Sequence, residues 1–170
     1  MPHVHTYRSS LAWAGTTADG YAGYSRAHEV TTPPARATLG LTADVPFRGD
    51  ADLTNPEQLL LAAASSCQLL SFLAEAARAG VDVVSYTDDA EAFMPVTREP
   101  LAIQRIVLRP RVVVRGDVED AQVLQLMHDG HDACFIANSL RSEIVLEPTV
   151  EHQEPAGERG SASRTGPSVR

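Results

Sequence analysis

The sequence has no lysine: its 14 basic residues are all arginine, against 22 aspartates and glutamates. Without lysine, catalysis through a Schiff base is excluded, and so is a phosphate-binding loop built on lysine. The formal net charge of −8 argues against non-specific binding to nucleic acid or to an anionic membrane surface. Charge alone therefore predicts that neither nucleic acid nor membrane is a partner.

The sequence also lacks a long apolar run free of charge. No such run reaches about 18 residues, so no membrane span is expected. The opening stretch "MPHVHTYRSS" has no basic region followed by an apolar one, so no signal peptide is expected. We therefore expect a cytoplasmic protein, in which a stable structural disulfide would be unusual.

The length of 170 residues and the 44% of apolar residues predict one α+β domain with a real core. A shift to Gly, Pro, Ser and charge predicts that this domain covers residues 1–152 and that residues 153–170 form a disordered tail. Alternating patterns and turn signals predict strands over residues 6–14, 23–32, 81–94, 101–116 and 142–152. Residues 117–134 read as an amphipathic second helix.

The segment "NPEQLLLAAASSCQLLSFLAEAARAG" carries the strongest helix signals in the chain. Asn55 suits the N-cap, Pro56 fits the first helical position, and Gln58 completes a pattern like a capping box. Gly80 supplies the end of the helix. Because the segment is apolar on nearly every side, the sequence predicts that this helix is buried.

Cys67, one of only two cysteines, lies in the middle of this helix. A reactive cysteine must be partly thiolate, and a free thiol titrates at about pH 8.5. The helix dipole acts only within the first turn, whereas Cys67 lies about three turns past Pro56. Burial alone would raise its pKa. Either Cys67 is inert core filler, or a neighbouring segment brings an arginine or a histidine to it.

One arginine is close in sequence. The stretch "VPFRGDADLTNPEQ" places Arg48 nine residues before Glu57. A loop there can fold back over the helix, and Glu57 can hold the guanidinium through a bidentate pair. The ordinary interpretation is that Arg48 is an exposed loop charge and that Glu57 is a first-turn acid favoured by the helix dipole.

The second cysteine, Cys134, stands in "HDACFIANSL", 67 residues after Cys67, so only the fold could bring the two together. His128, His131 and Cys134 are three residues apart in turn and could share one helical face. Zinc sites usually take three or four such ligands, and the usual C-x₂-C half is absent. No metal and no cofactor are therefore expected.

The blocks "FRGD", "NPEQLLLAAASSCQLLSFLAEAA" and "CFIANSL" together resemble the OsmC/Ohr family of osmotically induced and organic-hydroperoxide-resistance proteins, over most of residues 6–150. The resemblance implies an OsmC-like α+β fold, with antiparallel sheets packed on a long buried central helix, in an intertwined homodimer. It implies a thiol-dependent peroxidase in which Cys67 is peroxidatic and Cys134 resolving. Many members have Cys-Pro where this chain has Cys134-Phe135, so the local shape around the second thiol can differ.

The resemblance also implies that Glu57 orients an arginine over the Cys67 thiolate. In the OsmC-like branch this arginine precedes the Asn-Pro-Glu motif, which corresponds to Arg48. In the Ohr-like branch it comes from near the first hairpin, where this chain has Arg26 in "YSRAHEV". Arg48 is favoured here. The implied reductant is a dithiol such as a lipoylated protein.

A thiol deep in an apolar helix suits an apolar substrate. Burying an alkyl chain is worth about 0.8 kcal/mol per CH₂, so such a pocket favours organic hydroperoxides over hydrogen peroxide. The candidates to line it are Leu60, Ala63, Ala64, Leu70 and Phe72, whose default role is core packing.

Two alternatives remain. One is a non-catalytic dimeric small-molecule-binding or redox-sensing protein of the same fold. The other is a cysteine-dependent hydrolase, which would need His28 or His131 as a base beside Cys67 and an oxyanion hole. The sequence has no signature of the second arrangement.

Overall fold

Two helices and nine strands form within residues 4–97 and 100–153, the part of the chain that the computed structural model describes. The strands are β1 (Ser10–Ala12), β2 (His28–Thr31), β3 (Thr38–Leu41), β4 (Asp82–Asp88), β5 (Glu91–Phe93), β6 (Arg105–Leu108), β7 (Pro110–Arg115), β8 (Glu143–Leu146) and β9 (Thr149–His152). The helices are α1 (Pro56–Arg78) and α2 (Asp120–Asp132), with 3₁₀ turns at Val45–Phe47 and Ala137–Ser139. Except for Gln153, the predicted tail lies outside the described residues.

The strands form three sheets of three strands each. The first is the antiparallel sheet β1-β2-β3. The other two have the orders β4-β7-β9 and β5-β6-β8, and each combines one antiparallel pair with one parallel pair. The predicted α+β architecture, with sheets around a long central helix, is confirmed. The prediction that the sheets are antiparallel is wrong for two of them, because β8 and β9 pair in parallel with β6 and β7.

Three predicted long strands each divide into two shorter ones. Residues 81–94 give β4 and β5, residues 101–116 give β6 and β7, and residues 142–152 give β8 and β9. In each case one half joins the β4-β7-β9 sheet and the other half joins the β5-β6-β8 sheet. Prolines, which donate no backbone hydrogen bond, mark two of the three breaks, at Pro110 and Pro148.

Arg109 holds the three breaks together. Its backbone N–H donates to Asp88 Oδ1 at 2.7 Å, and its Nε donates to Glu147 at 2.9 Å. Its Nη1 forms an ion pair with Glu91 at 2.7 Å. Asp88 and Glu91 belong to the segment 81–94, Glu147 belongs to the segment 142–152, and Arg109 itself lies in the segment 101–116. These contacts therefore join all three dividing segments at the line along which the two sheets separate.

The capping signals of α1 are confirmed. Asn55 Oδ1 accepts from the Gln58 N–H at 2.8 Å, and Gln58 Oε1 accepts from the Asn55 N–H at 3.0 Å, which completes a capping box. Pro56 opens the helix. Gly80 follows it with φ of 72°, a left-handed conformation that glycine adopts without steric cost.

Helix α1 is not buried on every side, contrary to the prediction. Its buried residues are Ala64, Gln68, Phe72 and Ala76, which are spaced by four and form one stripe facing the core. The face that carries Leu70 is open, and Leu70 itself is 65% exposed in the single chain. Apolar residues therefore line both the buried stripe and an uncovered face.

By length and composition α1 is a helix that could cross a membrane, which the charge pattern had not led us to expect. The core helix of a soluble protein passes the same test. In this chain the buried stripe of α1 packs Phe72 and Ala76 against Val112 and Val114 of β7 and against Met127 of α2. The observation is therefore weak evidence for a span.

The two helices cross at Gly130. A Cβ atom at this position would lie 2.8 Å from the backbone N of Phe72 and 2.9 Å from its Cα, closer than real Cβ atoms come. Only glycine lets the backbones approach to this distance. The crossing places the end of α2 beside the middle of α1, where Cys67 lies.

Candidate active site

The structure brings the two cysteines together at this crossing. Cys67 is half-buried on α1, and Cys134, 1% exposed, stands two residues beyond the end of α2. Both are free thiols, and they lie close enough that each changes the pKa of the other. The predicted proximity is thus observed, and a disulfide would need only local movement.

Backbone donors of the segment after α2 complete the surroundings of both sulfurs. The Ile136 N–H donates to Cys67 Sγ at 3.5 Å, and the Ala137 N–H donates to Cys134 Sγ at 3.4 Å. The chain leaves α2 directly into the 3₁₀ turn Ala137–Ser139, and the Cys134 carbonyl accepts from Asn138 N at 3.0 Å. The first N–H groups of such a turn have no partner within it, so they are free to face the thiols.

These contacts shift the two thiols in opposite directions. Burial raises the pKa of Cys67, but hydrogen bonds from the Cys134 thiol, from the N–H groups of Ile136 and Phe135 and from Ser71 outweigh burial, so its pKa is lowered overall. Burial raises the pKa of Cys134, and its hydrogen bond to Cys67 raises that pKa further. The pair is therefore polarised, and Cys67 loses its proton more readily than Cys134.

The sequence argument that a cation must be delivered to Cys67 finds no support within the single chain and stays a prediction for an assembled protein. Within the described residues, the groups that lower the pKa of Cys67 are a thiol, a hydroxyl and backbone N–H groups, and no arginine is among them. Ser71 could have been found from its spacing, since it lies one turn after Cys67 on α1. The backbone donors could not, because they depend on how the chain leaves α2.

Glu57 does not hold an arginine over Cys67 of its own chain. The two residues are ten positions apart on one helix, which places them about 15 Å apart along its axis. Nor does Glu57 form an ion pair with Arg48 within the described ranges 4–97 and 100–153. The predicted clamp is therefore not assembled within one chain.

The two candidate arginines lie near each other but belong to a different part of the molecule. Arg48 ends the 3₁₀ turn Val45–Phe47 with φ of 67°, an uncommon left-handed conformation for a side-chain-bearing residue. Arg26 and Arg48 both line a cavity of about 460 Å³. The expectation that one of them approaches Cys67 is not met within the single chain. We call this region the arginine corner.

Arg26 is firmly held within the arginine corner. Its guanidinium donates to the backbone carbonyls of Tyr21 and Tyr24. It also stacks on both rings, at 4.7 Å from the Tyr21 centroid and 3.8 Å from the Tyr24 centroid. Trp13 packs edge-on against Tyr24 and donates to the Ser25 carbonyl at 2.8 Å. Arg48 has looser surroundings, with its guanidinium 6.0 Å from the Tyr21 ring centroid.

The five residues predicted to line a substrate pocket do not form one within a single chain. Ala64 and Phe72 are core residues in two separate clusters. Leu60 lines a cavity of about 650 Å³ at the start of α1, together with Glu57. Ala63 and Leu70 are exposed on the open face of α1. The default role of core packing therefore applies to Ala64 and Phe72.

The histidines of α2 have different surroundings. His128 is exposed, whereas His131 is half-buried and its Nδ1 lies 3.1 Å from Gln68 Oε1. In the parts of the chain that the structure describes, no group of three or more His, Cys, Asp or Glu residues is arranged to hold a metal ion. His28, on β2, contacts the Arg26 carbonyl at 2.8 Å.

Gln68 is the site residue that the sequence argument missed. It follows Cys67 directly and is 1% exposed, although its amide is polar. A buried polar side chain is informative because its groups must find hydrogen-bond partners. In the sequence it looked like one polar residue in an apolar helix, and only its position on the buried stripe distinguishes it.

Comparison with protein-family models identifies one family. The family model described as OsmC-like protein matches residues 49–149. The uncharacterised protein YmaD of Bacillus subtilis is 26% identical over 102 residues, which cover 58% of this chain and 68% of YmaD.

Solved structures show the same fold. An OsmC-like protein of unknown function from Vibrio cholerae superposes with a TM-score of 0.76 at 29% identity, covering 86% of this chain and all of the other. An organic hydroperoxide resistance protein OsmC from Legionella pneumophila has a TM-score of 0.63 at 17% identity, covering 88% of this chain and 99% of the other. With a family model that matches more than half of its residues, the chain belongs to the OsmC-like protein family.

Proposed function

We propose that this protein reduces organic hydroperoxides through a two-cysteine mechanism, with Cys67 as the peroxidatic thiol and Cys134 as the resolving thiol. The observation that carries the proposal is the meeting of the two thiols at the crossing of α1 and α2, where the neighbouring N–H groups of Ile136 and Ala137 donate to Cys67 Sγ at 3.5 Å and to Cys134 Sγ at 3.4 Å. The thiolate is the nucleophile in cysteine chemistry, and Cys67 is the thiol whose surroundings favour that form.

In the first step the Cys67 thiolate attacks the terminal oxygen of the hydroperoxide, ROOH. The O–O bond breaks, an S–O bond forms, and the alcohol ROH leaves with one proton from the medium. Cys67 becomes a sulfenic acid. In the second step the Cys134 sulfur attacks the Cys67 sulfur, the S–O bond breaks, and water leaves with the Cys134 proton. An external dithiol then reduces the Cys67–Cys134 disulfide and becomes a disulfide itself.

The working unit is proposed to be a homodimer in which a second copy completes the charge around Cys67. The open face of α1 carries apolar residues such as Leu70 without a cover in the single chain. Glu57 lies about 15 Å along the helix from Cys67 of its own chain, so a clamp at Cys67 requires Glu57 and an arginine from the second copy. An open apolar face of this kind typically marks an interface.

The same open face supports the choice of substrate. Ala63 and Leu70 flank the turn of α1 that carries Cys67, and both are exposed. Once covered by a second copy, this surface offers an apolar approach to the thiol, which gains about 0.8 kcal/mol for each buried CH₂ of the substrate. We expect an alkyl hydroperoxide to be preferred to hydrogen peroxide. The cytoplasm, where thiols stay reduced, is the proposed compartment.

The test is peroxide consumption by the reduced protein with a dithiol in excess. Cumene hydroperoxide and hydrogen peroxide are compared at equal concentration, with dithiothreitol and dihydrolipoamide as alternative reductants. We expect turnover with both dithiols and a higher kcat/KM for cumene hydroperoxide by at least tenfold. A protein that forms the Cys67–Cys134 disulfide once but does not turn over would instead be a redox sensor. No oxidation of Cys67 by either peroxide would leave only a binding function.

A further inference from the structure

Gln68 joins the two helices beside the thiols. Its Nε2 donates to the Met127 carbonyl at 3.0 Å and lies 3.3 Å from Met127 Sδ, and its Oε1 lies 3.1 Å from His131 Nδ1. All the polar atoms of this buried amide therefore face α2. An apolar residue would fill the same space. The hydrogen bonds of the amide therefore specify one arrangement of the two helices, which apolar packing alone would not do.

The hydrogen bonds fix the state of His131. The Met127 carbonyl can only accept, so the Gln68 NH₂ group faces it and Oε1 faces the imidazole. Nδ1 of His131 must then carry a proton and donate it to Oε1. Burial lowers the pKa of His131, which keeps the ring neutral near pH 7 with its proton on Nδ1.

The contacts form a closed ring that contains both cysteines. Gln68 is the chain neighbour of Cys67 and bonds to His131. The His131 carbonyl accepts from the Cys134 N–H at 3.0 Å. Two residues after Cys134, the Ile136 N–H donates to Cys67 Sγ at 3.5 Å and closes the ring. The contact between Gln68 and His131 is thus a side-chain link that ties the backbone carrying Cys134 to the turn of α1 carrying Cys67.

We propose that Gln68 and His131 are positioning residues that hold Cys134 against Cys67 for disulfide formation. Neither touches the peroxide in this scheme, and both act through the placement of the second thiol. The role of Gln68 and His131 in peroxide turnover rests on the proposed function. The placement of Cys134 against Cys67 is a property of the thiol pair and can be measured without a peroxide. A misplacement of about 1 Å between reacting groups is enough to slow a reaction about a hundredfold.

The experiment uses 4,4′-dithiodipyridine, whose thiopyridone product absorbs light. In the first phase the Cys67 thiolate attacks the reagent, forms a mixed disulfide and releases one thiopyridone. In the second phase Cys134 attacks the Cys67 sulfur, the bond from Cys67 to the pyridine sulfur breaks, and the Cys67–Cys134 bond forms. The second thiopyridone leaves with a proton in place of the one that Cys134 loses. The first rate reports the reactivity of Cys67, and the second reports the placement of Cys134.

The variants are His131→Leu, Gln68→Met and His131→Asn, with His128→Leu as the matched control. His128 lies on the same helix one turn earlier and is exposed. We expect His131→Leu and Gln68→Met to slow the second phase at least tenfold while the first phase changes less than threefold. The Asn amide can donate from near the place of Nδ1, so His131→Asn should stay within about threefold of the unchanged protein.

Several results would overturn the proposal. One is a second phase that is unchanged in His131→Leu and Gln68→Met. Another is an equal slowing in His131→Leu and His131→Asn, which would show that only the ring packing matters. If His131→Leu unfolds, both thiols will react in one fast phase. The comparison of Gln68→Met with His131→Asn then tests the positioning role. A protein with no peroxide turnover but with the expected split between phases would contradict the proposed function and keep the positioning role.

Discussion

The thiol pair and the arginine corner differ in how complete they are within one chain. At the thiol pair, Cys67 has a thiol donor and backbone donors already in place. In the arginine corner, Arg26 is held by two tyrosines, and Arg48 stands beside it in a strained conformation without an ion pair among the described residues. The comparison shows that the groups that lower the Cys67 pKa lie within one chain, whereas neither Arg26 nor Arg48 contributes to that pKa there.

The largest effect is expected at the thiols themselves. Cys67→Ser should abolish peroxide reduction, a loss of at least a thousandfold, because serine is not a nucleophile toward peroxide near pH 7. Cys134→Ser should still be oxidised once and should leave a sulfenic acid on Cys67, detectable with a dimedone probe by mass spectrometry. Turnover retained in Cys67→Ser would show that the assigned roles are wrong.

The next effect concerns the helix crossing that places the thiols. Gly130→Val would put side-chain atoms against the backbone of Phe72, where even a Cβ lies at 2.8 Å. We expect the free energy of unfolding to fall by about 1–3 kcal/mol or more, as in other overpacked cores, and the disulfide to form more slowly. Ala121→Val, at an exposed position of the same helix, is the control for the lower helix propensity of valine. Equal denaturation midpoints for the two variants would contradict a close crossing.

The arginine corner gives the third prediction. If Arg48 of a second copy faces Cys67, Arg48→Met should raise the Cys67 pKa by about 1–3 units, the usual scale for losing an adjacent opposite charge. The thiolate fraction at pH 7 then falls, so the peroxide reaction slows, and raising the pH restores it. Glu57→Gln should act in the same direction and more weakly. The measurement is the pH dependence of thiol alkylation at protein concentrations above and below dimer dissociation.

Arg26→Met is the control that separates the two arginines. Because Arg26 is fixed by Tyr21 and Tyr24, we expect its replacement to affect stability and to leave the Cys67 pKa nearly unchanged. A pKa that moves with Arg26 and not with Arg48 would transfer the role to Arg26. If neither variant moves it, the hydrogen bonds seen within one chain are the whole cause of the lowered pKa.

The smallest effect is expected away from both regions, at Tyr86. Its hydroxyl is buried and has no hydrogen-bond partner among the residues that the structure describes, and its ring lies 6.0 Å from that of Phe72. Burial, followed by the nearby Asp88 charge, raises the pKa of Tyr86, so the hydroxyl stays protonated. Tyr86→Phe should change the free energy of unfolding by less than about 0.5 kcal/mol or increase it, since no hydrogen bond is lost. Urea denaturation measures the free energy of unfolding, and a decrease above about 1 kcal/mol would show that the Tyr86 hydroxyl has a hydrogen-bond partner.

The sequence predicted what local chemistry determines and failed where distant segments meet. The ends of α1 follow from Asn55, Pro56 and Gly80, which act on their own neighbourhood. The sequence did not predict the division of the three long strands, because the alternation of apolar and polar residues continues through the bend that Arg109 fixes. The distance between Glu57 and Cys67 was available from helix geometry alone. The backbone N–H groups that donate to Cys67 could not be predicted in this way, because they belong to the segment after α2.

The burial of Cys134 determines how the oxidised protein would return to its starting state. In a Cys67–Cys134 disulfide, an incoming thiol can reach only the Cys67 sulfur, so Cys134 must depart as the leaving thiol. A thiol with a raised pKa, such as Cys134, is a slow leaving group. Once released, Cys134 lies next to the new mixed disulfide on Cys67 and can displace the incoming thiol again. A donor with a single thiol would therefore exchange back and forth without net reduction. A donor whose second thiol follows at once would escape this cycle, so in the proposed peroxidase cycle a buried Cys134 favours dithiols as electron donors.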